Sequence, residues 1–251
     1  GGVAGILQPT TSALLHNAST LCFSLKSMTN LLTEKEDEYL IHYKDDATAG
    51  NGVKHDKFEG KGVLNNTISC IIFDMLEEAG IKTHMIKKLN ERDILVKKVD
   101  IFPLEVIIRN ITTGSFCKRL GAPEGVVLDE PIFEMSYKND EYGDPLINDD
   151  HAVALKLATR EELAYIKETT LKINELLKEF FLSMNLKLVD FKIEFGKTAD
   201  GTILLADEIS PDSCRLWDVD TNQKYDKDVF RQDIGDLIET YKAVLARMQN
   251  K

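Results

Sequence analysis

The stretch Leu188–Asp218 constrains the fold more than any other part of the sequence, because it has the pattern of a β-hairpin followed by a polar loop. Apolar and polar residues alternate over 189–195, which is typical of a half-buried strand. Turn-forming residues at 198–201 separate this strand from a second one, Thr202–Glu208, which ends in the acidic pair Asp207 and Glu208. The pattern therefore predicts two antiparallel strands with acidic residues near their ends.

One face of the first predicted strand carries three charged residues: Asp190, Lys192 and Glu194. Pairing through the predicted turn places Asp207 near Lys192 and diagonal to Glu194, about 7–8 Å apart at the backbone. Ile203 and Leu205 are then expected on the same face, which is unusual for a face open to water. Two carboxylates at the end of an apolar strand suit Mg²⁺, which takes one or two carboxylates together with substrate phosphates. The alternative is an ordinary solvated strand face.

The loop Ser210–Asp218 follows the hairpin and contains the single tryptophan of the chain. Loops at strand ends are frequent binding sites, so a functional role is favoured over a structural one. Lys192, between the two acids, is expected to keep them ionised or to bind an anion itself.

A family resemblance becomes specific at this point. VDFKIEFG and ADEISPDSCRLWD resemble the two signature regions of the SAICAR synthetase family, which makes an intermediate of purine biosynthesis. A DxKxE pattern alone is weak, but SPDSCRLWD at this spacing is specific, and the similarity extends from about Asp45 to Met248. The resemblance implies an α+β, two-lobed fold, similar to ATP-grasp and kinase folds, with an ATP cleft between the lobes.

Composition narrows the class of protein. The 251 residues are 43% hydrophobic and 29% charged, which is ordinary for a globular protein. The sequence has no apolar run of about 18 residues, so no membrane span is predicted. The net charge of −11 argues against non-specific nucleic-acid binding. Four scattered cysteines without a CxxC pair argue against a zinc site and for a reducing compartment, so we expect a cytoplasmic protein. The sequence leaves open whether the protein is a monomer or a homo-oligomer.

The chain divides into three predicted parts. Residues 1–10 are expected to be a tag or disordered, 11–102 a strand-rich ATP-binding lobe, and 103–251 an α+β lobe with the substrate and metal site. Within these parts, apolar periodicity predicts three helices: one that follows the Gly60–Gly62 turn and ends near Gly80, one that begins at the capping box Thr159–Glu162 and includes Phe181, and one over 228–248. A first hairpin is predicted from Leu21–Leu25 and 39–44, a turn at 45–52, and two extended segments around Pro131.

In the resembled family, the first hairpin carries a GKxK loop that covers the ATP phosphates. The stretch that corresponds in our interpretation, Leu15–Phe23, lacks the glycine and both lysines. This departure predicts weaker phosphate contacts from this loop.

The resemblance also implies a nucleotide site. The segment Asp100–Glu105 corresponds to the family's hinge, where Ile101 would contact adenine through its backbone and Lys97 would point toward the cleft. Glu194 and Asp207 would bind ATP through Mg²⁺. From the residues alone, Lys97 and Glu105 are equally well read as surface residues.

The family's RNxxxGS pattern is intact as Arg109, Asn110, Gly114 and Ser115. The resemblance implies that Arg109, Ser115 and Arg215 bind the nucleotide-like substrate. From the residues alone, a strand arginine is either paired or binds an anion, and a loop serine before a helix is also a plain N-cap.

Several other residues carry open alternatives. Lys61 resembles the lysine of the family's KGxxNN motif, and is either a basic group near substrate or a solvated lysine. Arg231 either reaches the cleft or pairs with Asp228. His151 is interpreted as a loop residue rather than a metal ligand.

The reaction implied by the resemblance joins L-aspartate to 5-amino-1-(5-phosphoribosyl)imidazole-4-carboxylate (CAIR) with ATP, giving SAICAR, ADP and phosphate. Lys192 and Asp212 are the expected catalytic residues, the first steadying the reacting carboxylate and the second orienting or deprotonating the incoming amine. One alternative is a small-molecule kinase, since 190–196 loosely resembles the DxKxG of inositol polyphosphate kinases, although SPDSCRLWD does not fit them. Another is a non-catalytic nucleotide-binding protein, suggested by the altered N-terminal loop.

Overall fold

The protein is represented by a computed structural model that describes residues 27–50 and 52–251. The expected tag, the predicted strand Leu21–Leu25 and the altered loop Leu15–Phe23 lie outside these residues. The strands are β1 (Met28–Leu32), β2 (Glu38–Tyr43), β3 (Asp46–Ala49), β4 (Lys54–Lys57), β5 (Met85–Lys88), β6 (Asp93–Lys97), β7 (Asp100–Ile101), β8 (Leu104–Ile111), β9 (Val127–Tyr137), β10 (Leu146–Ile147), β11 (Leu186–Lys197), β12 (Ile203–Ala206) and β13 (Cys214–Asp218). The helices are α1 (Lys61–Glu78), α2 (Gly114–Leu120), α3 (Asp149–Ala154), α4 (Arg160–Leu182), α5 (Asp228–Arg231) and α6 (Leu237–Gln249), with a 3₁₀ turn at Asp140–Tyr142.

Strand β11 is the centre of the larger sheet. Its first half pairs with β13 on one side and β8 on the other, and its last residues pair with β12 and β7. All of these pairings are antiparallel, and β9 and β10 extend the sheet beyond β8. Since β11 is apolar on one face and charged on the other, it covers the core and also presents polar groups to the opposite side.

A smaller antiparallel sheet has the order β1–β2–β6–β5. It meets the larger sheet where the backbone N–H of His84 donates to Leu205 O at 2.9 Å. The two-residue strand β7 lies between the sheets in sequence and pairs with Gly196 and Lys197 of β11. The polar face of β11 therefore ends at the junction of the two sheets.

The helices cover the sheets and close the core. α4 begins with the predicted capping box, in which Thr159 and Glu162 satisfy each other's backbone N–H groups, and packs on β11 and β8. α1 packs against α6 and β2, and ends before Gly80, whose φ of 93° fits the predicted C′ position. One hydrophobic cluster joins residues of both sheets, for example Ile94 and Ile193. The predicted α+β class is confirmed.

Three local predictions are wrong. The predicted turn at 45–52 contains β3, which forms a hairpin with β4. The two extended segments around Pro131 are one strand, β9, and its ladder with β8 shifts register near this proline, which has no N–H to donate. The predicted helix 228–248 is interrupted between α5 and α6, where Asp233 has φ 54° and Asp236 caps α6.

Candidate functional site

A groove with three adjoining compartments runs along the polar face of β11. The sheet-junction compartment lies between the two sheets and is lined by residues that include Tyr39, Lys97, Ile101, Glu194 and Asp207. The central compartment shares Glu194 and Asp207 with it, and is also lined by Asp46, Glu105, Lys192, Asp212 and Lys227. The arginine compartment shares Glu105, Lys192 and Asp212 with the central one, and adds Arg109, Ser115, Arg215 and Arg231. All nine residues predicted for the site line this one groove.

Glu194 and Asp207 meet at the boundary of the first two compartments. The observed register pairs Glu194 with Ala206, one residue away from the register that the predicted turn implied. Ile203 and Leu205 were expected on the same face as Glu194. This prediction is wrong, because Leu205 pairs with Phe195 on the buried face. Asp207 still reaches the groove because its backbone leaves the extended conformation, with φ 62°.

The two carboxylates differ in their surroundings. Glu194 is buried, and its Oε1 accepts a hydrogen bond from the Lys138 ammonium. Asp207 is partly exposed at the end of β12. Hard carboxylate oxygens from two strands fit Mg²⁺, which completes its shell with water and phosphate. In residues 27–50 and 52–251, no group of three or more His, Cys, Asp or Glu side chains forms a metal-binding cluster.

Two arginines converge on a buried carboxylate in the arginine compartment. Asp190 Oδ2 accepts from Arg215 Nη1 at 2.9 Å and from Arg109 Nη1 at 3.3 Å. Burial raises the pKa of Asp190, and the two guanidinium groups oppose this shift. Arg109 also donates to Ser115 Oγ at 3.0 Å, so the residues of the RNxxxGS pattern are fixed before any ligand binds.

Further ion pairs extend this network. Arg215 Nε donates to Asp228 Oδ2 and Arg231 Nη1 donates to Asp228 Oδ1, both at 2.9 Å. Both alternatives for Arg231 are therefore correct, since it pairs with Asp228 and also lines the groove. These bonds set out three guanidinium groups around one compartment, which suits an anion with several oxygens.

Lys192 and Asp212 lie on either side of the central compartment. The Lys192 side chain is 49% exposed, and its Nζ lies 3.4 Å from Glu105 Oε1. Asp212 is enclosed, since its Oδ2 lies 2.6 Å from Lys61 Nζ and its Oδ1 accepts from Tyr241 at 2.6 Å. Burial raises the pKa of Asp212, but the charges of Lys61 and Lys227 and the hydrogen bond from Tyr241 outweigh this effect and lower it to about 2.

The solvated alternative for Lys61 is wrong. Its side chain is fully buried and also donates to Asp46 O at 2.8 Å. Four and eight residues later on α1, Asn65 and Ser69 are equally buried, and Ser69 donates to Ile209 O at 3.0 Å. α1 thus presents a polar stripe to the loop that carries Asp212.

Comparison with known proteins identifies the family. The SAICAR synthetase family model matches residues 26–248, beginning earlier than the Asp45 expected from the signature segments. The chain belongs to the SAICAR synthetase family.

Relatives and solved structures agree with this membership. Phosphoribosylaminoimidazole-succinocarboxamide synthase of Finegoldia magna is 67% identical over 217 residues, which cover 86% of this chain and 94% of the relative. The enzyme of the same name from Fusobacterium nucleatum is 59% identical, with 87% and 92% covered. A solved SAICAR synthetase in complex with ADP superposes with a TM-score of 0.87 at 49% identity, covering 90% of this chain and 96% of that one.

Several residues that line the groove were not predicted as site residues from the sequence, among them Lys138, Lys227, His84 and Glu208. Lys138 contacts Glu194 from the segment after β9, and Glu208 is buried with its pKa raised to about 8, chiefly by burial. Glu208 lies inside the second signature segment, which is the signal that could have found it, whereas the other three lie outside both segments and reach the groove only through tertiary contacts. His151, predicted in a loop, lies in α3, where its Nδ1 accepts from Asn148 N.

Proposed function

We propose that this chain is the ATP-dependent ligase that joins L-aspartate to CAIR, giving SAICAR, ADP and phosphate in de novo purine biosynthesis. The observation that carries the proposal is the continuous groove, in which two acids stand between an open sheet junction and a cluster of three arginines. Family membership and the ADP complex of a solved relative support it.

The sheet-junction compartment is the proposed nucleotide site. Ile101, 40% exposed, is the contact for adenine through the backbone of the segment that joins the two lobes, 11–102 and 103–251. Gly196 allows this segment to lie close to β11, because a Cβ at residue 196 would stand 2.5 Å from Val99 Cγ2. Lys97 lines the same compartment and is the proposed contact for the phosphate oxygens of ATP.

Glu194 and Asp207 are the proposed Mg²⁺ ligands. When bound, the ion would neutralise charge on the phosphate oxygens of ATP. Lys138 donates a hydrogen bond to Glu194 Oε1 and so holds this carboxylate in place.

The arginine compartment is the proposed site for the 5′-phosphate of CAIR. Arg109, Arg215 and Ser115 are its ligands, and their bonds to Asp190 and to each other fix their positions in advance. Pre-positioned donors lower the ordering cost of binding.

The chemistry takes place between these two sites. A carboxylate is a poor acyl donor, so an oxygen of the CAIR carboxylate first takes the γ-phosphoryl group from ATP, and ADP leaves. Lys192, on the β11 face between the two compartments, steadies the carboxylate and the charge that develops on the phosphoryl oxygens. The aspartate ammonium releases one proton to solvent, and the resulting amine attacks the acyl carbon. The C–N bond forms, phosphate leaves with the C–O electron pair, and it takes up the second proton that the nitrogen loses.

Asp212 acts in this scheme by orienting the incoming ammonium group. Both of its oxygens are engaged, and its low pKa makes it a weak proton acceptor. The enclosed pair with Lys61 fixes its position, so we favour the orienting role over the deprotonating one.

The deciding experiment measures ADP release with ATP, CAIR and Mg²⁺, with and without L-aspartate. The ligase requires that continued ADP release, with SAICAR formed one to one, depends on aspartate. Release that is equally fast without aspartate would favour a kinase, and ATP binding without turnover would favour a non-catalytic protein.

Three further proposals concern the cellular location, the partners and the oligomeric state of the enzyme. No helix in the described ranges, 27–50 and 52–251, is both long and apolar enough to span a membrane. We predict that the enzyme is cytoplasmic, that its partners are its small-molecule substrates, and that it assembles as a homo-oligomer. Cell fractionation and light scattering test the first and the last.

A further inference from the structure

Lys227 is a cation of the central compartment that the proposed mechanism does not use. It immediately precedes α5, and its backbone N–H donates to Pro211 O at 3.0 Å, which ties it to the loop of Asp212. Its side chain is partly buried and lines the compartment next to Asp212 and Lys192. The position of Lys227 is therefore set by two segments that both border the groove.

Three of the acids that line this compartment already contact other basic side chains. Asp46 lies 2.8 Å from His55, Glu105 lies 3.4 Å from Lys192, and Asp212 lies 2.6 Å from Lys61. Lys227 is not a member of any of these three pairs.

Among the described residues, Lys227 has no carboxylate oxygen within 4.0 Å of its ammonium group. Burial lowers its pKa to about 8, the nearby charge of Asp212 opposes this shift, and Arg231, Lys61 and Lys192 add to it. A partly buried cation with no carboxylate in direct contact is stabilised by an added anion. The Lys227 ammonium is therefore a candidate contact for an anionic ligand of the central compartment.

The chemistry of the three substrates identifies which anion fits. The three arginines suit the phosphate of CAIR, and the sheet junction suits ATP. L-Aspartate brings two carboxylates and an ammonium group, and its amine must reach the acyl phosphate that forms from the CAIR carboxylate between those two sites. The central compartment adjoins both, and presents Lys227 beside the carboxylate of Asp212.

We infer that the Lys227 ammonium binds a carboxylate of L-aspartate in the central compartment, while Asp212 faces the aspartate ammonium group. The inference rests on the proposed ligase activity and names the residue that selects its amino-acid substrate. In this arrangement the amine is held between the nucleotide and CAIR. An amino acid without the second carboxylate either loses the contact with Lys227 or makes it in a different orientation.

The test is steady-state kinetics on Lys227→Met, with Lys227→Arg and Lys224→Met beside it. Lys224 is a matched control, because it lies three residues away and its Nζ contacts Gln232 outside the groove. For Lys227→Met the KM for L-aspartate should rise about 10- to 100-fold, as expected for loss of a charge-assisted hydrogen bond. The KM values for ATP and CAIR should stay within about twofold, Lys227→Arg should recover part of the loss, and Lys224→Met should match the wild type.

Inhibition by succinate separates carboxylate binding from amine chemistry. Succinate carries both carboxylates without the amine, so its inhibition constant against aspartate should rise in Lys227→Met by the same factor as the KM. An unchanged aspartate KM, an unchanged succinate constant, or a rise confined to the KM of CAIR would each overturn the inference. A wild-type enzyme without aspartate-dependent ADP release would instead remove the proposed function itself.

A second measurement uses the wild type and does not depend on the folding of a variant. Crystals of the whole chain soaked with succinate and a non-hydrolysable ATP analogue should show a carboxylate within about 3.5 Å of Lys227 Nζ. Succinate bound elsewhere in the groove would contradict the assignment.

Discussion

Lys61 Nζ lies 2.6 Å from Asp212 Oδ2, and the two side chains are 0% and 7% exposed. Lys61 is the first residue of α1, whereas Asp212 lies in the loop between β12 and β13. The pair therefore joins the helix that packs behind the smaller sheet to the loop that borders the central compartment. A buried ion pair of this kind contributes little net stability, but removal of one partner leaves an uncompensated charge.

Lys61→Met should destabilise the protein by about 3–5 kcal/mol, because Asp212 then stays buried without its cation. The free energy of unfolding from urea titration measures the effect. Lys242→Met is the control, since Lys242 is 58% exposed on α6. Removal of both charges in Lys61→Met/Asp212→Asn should restore part of the loss, and equal stability of Lys61→Met and wild type would contradict the argument.

The same pair predicts a pH dependence. The folded-state pKa of Asp212 is about 2, below its ordinary value of 3.8. A lowered pKa of an acid means that its stabilisation is complete above the unfolded value and is lost as the pH falls toward the folded value. The wild type should therefore lose about 2 kcal/mol of stability from this group between about pH 4 and pH 2. Unfolding measured across this range should show a shallower loss in Asp212→Asn, and parallel curves would contradict the assignment.

The central hairpin could be predicted from the sequence because its signal is local. Alternation over 189–195 and the turn residues at 198–201 define two strands without reference to the rest of the chain. The register was missed by one residue, since Thr198 N pairs with Thr202 O and the ladder follows from that bond. The pairing of Glu194 with Ala206, and the left-handed backbone of Asp207, depend on this loop geometry rather than on periodicity.

The contacts around the groove could not be predicted from local patterns. Lys61 and Asp212 are 151 residues apart, and Lys138 and Glu194 are 56 apart. In the interruption before α6, Asp233 and Asp236 are polar residues that a helix pattern tolerates, so the apolar stripe continued past the break. The family resemblance supplied the site residues that periodicity could not.

Glu194→Gln and Asp207→Asn should each lower turnover at least ~100-fold, the scale expected for loss of one electrostatic stabiliser. The reason is that each amide removes an ionised ligand from the proposed Mg²⁺ site. Turnover is measured as ADP release across a Mg²⁺ titration, with circular dichroism to show that the fold is kept. Glu175→Gln, on the exposed face of α4, is the control. Near-normal turnover in both variants would remove the metal assignment.

Gly114→Ala should weaken binding of CAIR without affecting ATP. A Cβ at residue 114 would stand 2.8 Å from both terminal nitrogens of Arg215, so the guanidinium group must move. We expect the KM for CAIR to rise about tenfold, as for a lost charge-assisted bond. Gly121→Ala is a matched control, because its φ of 64° resembles the 60° of Gly114 while its Cβ would meet nothing within 4 Å. Equal kinetics of the two variants would mean that the Arg215 position does not control CAIR binding.

Gly196→Ala should weaken ATP binding, because Gly196 lets the segment before β8 lie against β11. The added Cβ would stand 2.5 Å from Val99 Cγ2 and 3.2 Å from Asp100 O, so the Val99–Ile101 backbone must shift. Overpacking of this kind costs about 1–3 kcal/mol, and the KM for ATP should rise about tenfold. Gly235→Ala, whose Cβ would make only ordinary contacts at 3.7 Å, is the control. Kinetics with ATP varied at saturating CAIR and aspartate measure the effect, and a rise in the KM of CAIR alone would place the nucleotide elsewhere in the groove.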